Sequence, residues 1–120
     1  MKWLLGRFHH AFAGIRHAAV HDRSVRFQLL LGIVALAAGF VFQIAASEWL
    51  WIVLSIFLVV ICEIFNSCIE KTVDYISLDI SEQARNIKDM SAGAVFLAAC
   101  FAFYCALMIF GPRIYLLIYS

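Results

Sequence analysis

Apolar positions along this chain form long unbroken runs rather than the alternation of a soluble fold. Residues 27–46, 49–69 and 91–118 are nearly free of charge, the last of them continuously apolar over 91–110. About 20 apolar helical residues, each rising ~1.5 Å, cross the ~30 Å hydrocarbon layer of a bilayer. Each run therefore predicts a transmembrane helix. Ahead of them, over 1–24, Trp3, Leu4, Leu5, Phe8, Phe12, Ile15 and Ala19 recur at intervals of three and four, which predicts an amphipathic helix. Its Lys2, Arg7, His9 and His17 would face water and lipid phosphates while its apolar side rests on the membrane or, equally, packs against the helix bundle. The expected fold is all-α and integral to the membrane. It is a single domain with an N-terminal surface helix and three spanning helices, and residues 70–90 form a loop between the second and third.

Composition agrees: 65% of the 120 residues are hydrophobic and 14% are charged, against about a quarter charged in soluble domains. The net charge of +1 says less than its placement, and no nucleic-acid partner is expected. Lys2, Arg7, Arg16, Arg23 and Arg26 precede the first run, and Lys71, Arg85 and Lys88 lie between the second and third, whereas the 46–49 turn has no Lys or Arg. By the positive-inside bias, the N-terminus and the 70–90 loop are expected on the cytoplasmic side of a bacterial plasma membrane. Cysteines 62, 68, 100 and 105 fall inside the apolar runs without zinc or redox spacing and read as small buried apolar groups. No Walker loop and no protein-kinase glycine loop occurs.

One stretch breaks the apolar pattern. Glu63, Asn66, Glu70 and Asp74 fall in a helical stripe roughly 80° wide. Counted from Trp49, Glu63 lies ~21 Å into the bilayer, ~9 Å short of its far edge, with Glu70 about 10 Å further on, at the aqueous boundary. An acid inside the hydrocarbon costs on the order of 2.5–3.5 kcal/mol, so such groups usually serve chemistry or ion handling. Lys88 and Asp89 return to the level of Glu70, and Asp22, Arg23 and Arg26 reach it from the first run. Magnesium needs only one or two carboxylates beside substrate phosphates; Asp22 and Glu70 would suffice. Glu63, deeper and desolvated, suits a general base acting on a lipid hydroxyl. Asn66, one turn along, could orient the base or the substrate. Asp74 reads equally as a structural cap and as a supporting group.

The segments Glu63-Ile-Phe-Asn66-Ser67-Cys-Ile-Glu70-Lys-Thr-Val-Asp74 and Ile87-Lys88-Asp89-Met90-Ser-Ala-Gly93-Ala94-Val95, together with Gly14-Ile-Arg16 and Asp22-Arg-Ser-Val-Arg26, resemble the small prokaryotic diacylglycerol kinase and undecaprenol kinase family. The resemblance covers about residues 12 to 113. It implies a homotrimer of three-span subunits with active sites shared between neighbours, transferring the γ-phosphoryl of magnesium-bound ATP to a lipid alcohol. By motif position it implies Glu63 as catalytic base, Asp22 and Glu70 as metal ligands, and Lys88 and Asp89 as part of the nucleotide site. Ser81 and Glu82 match the adenosine-contacting loop more loosely, and Asn66, Arg16 and Arg26 are expected on the substrate side. Asp22 stands where the family usually has Glu; Ser24 and Gln28 stand where its Gram-positive branch tends to have Asn and His. The Ala92-Gly93-Ala94 patch resembles that branch, which favours undecaprenol as acceptor over diacylglycerol. A small ion-coupled transporter is the remote alternative, since it would explain Glu63 but not Glu70, Lys88 and Asp89.

Overall fold

The computed structural model describes residues 1–76 and 81–120, arranged as four helices: α1 (Lys2–His21), α2 (Arg23–Val41), α3 (Ala46–Ile76) and α4 (Glu82–Tyr119). Helices α2, α3 and α4 are each long and apolar enough to cross a membrane. The expected all-α architecture is therefore the one observed.

The boundaries differ from the apolar runs in two informative places. The first spanning helix stops at Val41 instead of 46, because the chain is capped there. Gln43 adopts a left-handed φ of 51°, its N–H donates to the Phe40 carbonyl, and the Ile44 N–H donates to the Gly39 carbonyl. That pairing is a Schellman termination, in which the residue after the cap turns left-handed to satisfy the last carbonyls. Ile44, the next residue, is buried against Ile52, Ile109 and Phe110, so the turn is anchored by apolar packing. Helix α3 then starts with half of a capping box: the Glu48 carboxylate accepts the Ala45 N–H at 2.9 Å.

The second difference is in the segment read as a loop. Residues 70–76 continue α3 and residues 82–90 open α4, so both helices run beyond their apolar spans. A 31-residue α3 is about 46 Å long at ~1.5 Å per residue, well over the ~30 Å hydrocarbon thickness. Its charged last turns are thus carried into the polar boundary on a rigid rod. Ser81 caps α4, its hydroxyl accepting the Ala84 N–H at 3.0 Å, which fixes the start of the second rod. Pro112 lies inside α4, and the helix continues to Tyr119. Arg113 bridges that point: its guanidinium donates to the Ile109 carbonyl at 2.7 Å and to both Glu48 oxygens at 2.8 and 2.9 Å. The ion pair ties the start of α3 to the far part of α4.

Close helix contact depends on two glycines. A methyl group at Gly39 would come within 2.5 Å of the Trp49 ring, and one at Gly32 within 3.0 Å of Ile56. Trp49 is half-buried over α2, its ring 4.9 Å from that of Phe40. Helix α1 buries only Ala18. Its Trp3, Leu5, Phe8, Phe12 and Ile15 are more than half exposed, so the helix presents an apolar face.

Candidate active site

Asp22 separates α1 from α2 in extended conformation, and one oxygen of its carboxylate accepts the N–H groups of Ser24 and Val25 at 3.0 and 3.2 Å. It is the N-cap of α2, a role for which Asp is among the preferred residues. Arg26 closes the junction from the other side by donating to the Val20 carbonyl near the end of α1. The carboxylate is thereby held at a defined height, facing Ser67 and Lys71 of α3. Partial burial works against its charge. The Ser67 hydroxyl, the Val25 and Ser24 N–H groups and the Lys71 ammonium outweigh that burial and hold the Asp22 carboxyl below the usual aspartate range.

Because its ionised form is favoured in the fold, Asp22 adds stability above the unfolded pKa of about 4, and that contribution is lost as pH falls through the lower folded value. Asp22→Ala should therefore cost about 1 kcal/mol at neutral pH, the usual value of an N-cap. The difference from wild type should shrink toward pH 3. Thermal unfolding in detergent with EDTA present measures it; a gap that widened on acidification would contradict the assignment.

Glu63 lies on α3 among the few buried polar residues, with 7% of its surface exposed. Asp22 and Glu70 both stand within charge–charge range of it. A hollow of about 240 Å³ in front of Glu63 is lined also by Arg23, Ser24, Phe27 and Gln28 of α2. One turn along α3, Asn66 donates from its amide nitrogen to Glu70 at 3.2 Å, while its buried amide oxygen has no hydrogen-bond partner among the described residues. The acids at sequence positions 22, 63 and 70 are thus brought to one end of the bundle, Glu63 and Glu70 by their spacing along α3 and Asp22 by its place as the cap of α2. Among the described residues, no three His, Cys, Asp or Glu side chains converge closely enough to hold a metal ion. The donor chemistry still suits magnesium, which takes carboxylate oxygens, keeps several waters and draws further ligands from phosphates.

Lys88, on the first turns of α4, forms an ion pair with Asp74 of α3 at 2.6 Å. Asp74 reads from sequence equally as a structural cap and as a supporting group; the structure gives it this partner across the helix pair. Such a half-exposed pair is worth at most about 1 kcal/mol in stability, so its main consequence is orientation. It fixes where the Lys88 ammonium sits relative to Glu70. Asp89 and Glu82 are exposed on α4, and Ser81 is engaged as the helix cap. Arg16 is exposed on α1 and has no ion pair among the described residues. Phe27, which lines the hollow beside Arg23, is not singled out by sequence, where Arg23 reads only as reaching the level of Glu70. An aromatic residue in an apolar run carries no distinctive spacing, and only the apposition of α2 and α3 reveals it.

A second, apolar hollow of about 370 Å³ runs between α2, α3 and α4, bounded by side chains such as Leu31, Ile52, Val59, Ala102 and Phe103. It too is reached by Gln28.

With that geometry in view, the family profile described as prokaryotic diacylglycerol kinase matches residues 9–110. This chain belongs to that family. The match takes in every site residue described above. Among curated relatives, undecaprenol kinase of Bacillus subtilis is 34% identical over 89% of this chain and 87% of its own length. Diacylglycerol kinase of Pseudomonas aeruginosa is 31% identical over 82% of this chain and 80% of its own, and the Escherichia coli K12 enzyme of the same name is 29% identical over 74% and 73%. The chain is therefore a member of a family of membrane lipid kinases, phosphotransferases with an alcohol acceptor.

Proposed function

We propose that this family member phosphorylates the hydroxyl of undecaprenol with ATP, yielding undecaprenyl phosphate, on the cytoplasmic face of the plasma membrane. The observation that carries the reading is the gathering of Asp22 and Glu70 about the buried Glu63 at the membrane-boundary end of three spanning helices. A lipid alcohol whose hydroxyl reaches the Glu63 hollow meets a carboxylate able to take its proton as the oxygen attacks the γ-phosphorus and the bond from that phosphorus to the β,γ-bridging oxygen breaks, ADP leaving with the bond's electron pair. The Asn66 amide oxygen, without a hydrogen-bond partner among the described residues, is able to accept from the same hydroxyl. The phosphate tail enters from the aqueous side, where Lys88, oriented by Asp74, supplies positive charge and Asp89 and the Ser81–Glu82 turn border the nucleotide.

Asp22 and Glu70 are the residues that would hold magnesium, which neutralises charge on the β and γ oxygens in phosphoryl transfer. Ionised carboxylates alone would repel those phosphates, so an intervening cation makes chemical sense of acids at this position. The broad apolar exposure of the lone chain, Leu30, Phe57, Phe96 and Leu97 included, is compatible with a homotrimer whose active sites are shared between subunits. Arg16 and Arg26 would then lie near incoming headgroups.

The undecaprenol acceptor is favoured by the 34% identity to the Bacillus subtilis enzyme. Diacylglycerol is the second reading, favoured by the 31% identity to the Pseudomonas aeruginosa enzyme. Purified protein in mixed micelles, given radiolabelled ATP and equimolar undecaprenol or diacylglycerol, separates them. We expect kcat/KM to be at least tenfold higher for undecaprenol. A preference for diacylglycerol would select the second reading, and absence of any lipid-dependent ATP consumption would leave an ion-coupled transporter as the better account of Glu63.

A further inference from the structure

Helix α1 carries all four histidines of the chain and no acid. Two of them, His17 and His21, stand one turn apart at its end, their rings stacked with 4.3 Å between centroids and 27° between planes. Both are exposed, and at ~100° per residue they lie on the side of the helix opposite the Phe8, Phe12 and Ile15 stripe. We propose that this pair is a binding site for a divalent transition-metal ion of the zinc type, separate from the acids around Glu63. The site is independent of the lipid-kinase reading.

Two histidines four residues apart on one helix face can present two imidazoles to a single zinc ion. Here the second ring is already prepared. His21 Nδ1 lies 3.2 Å from the His17 carbonyl oxygen. A carbonyl only accepts, so Nδ1 carries the proton and, in the neutral ring, Nε2 keeps the lone pair that a metal needs. Anchoring one ring nitrogen to a backbone carbonyl is how ligating histidines are commonly held in tautomer and orientation. Stacking on His17 restricts the ring further, so less side-chain freedom is lost on binding. His9 and His10 offer no such pair: they meet edge to face at 5.8 Å, and adjacent residues do not share a helix face. Imidazole favours zinc, copper and nickel, whereas magnesium prefers carboxylate oxygen and water. The two kinds of cation therefore sort between this pair and the Asp22 and Glu70 acids. With two protein nitrogens, the remaining zinc positions fall to water, unlike the closed four-ligand shell of a structural site. His21 ends α1 next to the Asp22 cap, so an ion clamped between His17 and His21 stiffens the turn from which α2 departs.

The full chain in detergent, with magnesium in excess to occupy the acids and a reductant to keep the cysteines as thiols, is titrated with zinc chloride against a chromophoric chelator. We expect His17→Gln and His21→Gln each to weaken zinc binding at least tenfold, and a double variant, His9→Gln with His10→Gln, to stay within twofold of wild type. Hydrogen–deuterium exchange on the unmodified protein locates the ion without any substitution: zinc should slow exchange in the peptide spanning the last turn of α1. Zinc affinity unchanged in both single variants overturns the proposal, as does an equal loss in the His9 and His10 double variant. Slowing confined to α3 and α4, which carry the four cysteines, overturns it as well. Further magnesium in place of zinc should leave the α1 peptide unchanged, and an equal slowing there would show that the pair does not select an imidazole-preferring ion and would sink the assignment.

Discussion

Glu63→Gln should abolish lipid phosphorylation to within the background of the assay, a loss of roughly 10²–10⁴ in kcat if the carboxylate acts as general base. The substitution preserves shape and hydrogen-bonding capacity at a site with 7% exposure; it removes only the ability to take a proton. It should also relieve a cost, because a charged group in the membrane is held there against its preference for water. We therefore expect the variant to be at least as resistant to thermal unfolding in detergent as wild type while being inactive. Single-turnover transfer of radiolabelled phosphate, run beside a melting curve, reads both quantities. A Glu63→Gln enzyme retaining a third of wild-type turnover would remove Glu63 from the chemistry, whatever the family.

Glu70→Gln carries the second large effect, and its signature differs. Glu70 is exposed, accepts the Asn66 amide and lies within charge–charge range of Glu63. If it holds magnesium with Asp22, losing its charge should raise the magnesium concentration needed for half-maximal activity by tenfold or more. Wild type stripped with EDTA should lose turnover entirely and regain it on adding magnesium. At saturating magnesium the variant should recover part of its rate, whereas Glu63→Gln should not. An unchanged magnesium dependence in Glu70→Gln would move the cation elsewhere without disturbing the role of Glu63.

The three spanning helices were legible because nothing but burial in lipid explains apolar runs of about 20 residues, and the acidic stripe was legible because a helix repeats every 3.6 residues. Where the helices end was less legible. Hydropathy registers the edge of the hydrocarbon, while a helix ends where its backbone groups find caps, as at Gln43 and Ser81. The 70–90 segment was read as a loop for that reason, although most of it prolongs α3 and α4.

Within the site, the same distinction holds. Glu63, Asn66 and Glu70 share one helix, so their mutual placement follows from spacing along it. Asp22 comes from another element, and what the structure adds is its double attachment as helix cap and neighbour of Ser67 and Lys71. The Lys88–Asp74 pair, the Glu48–Arg113 pair and the shared position of Gln28 between two hollows all join residues on different helices. Periodicity within one helix orders its own side chains. The rotation and offset of one helix against the next depend instead on small-residue contacts such as Gly39 under Trp49, and those become visible when the packed chain is seen.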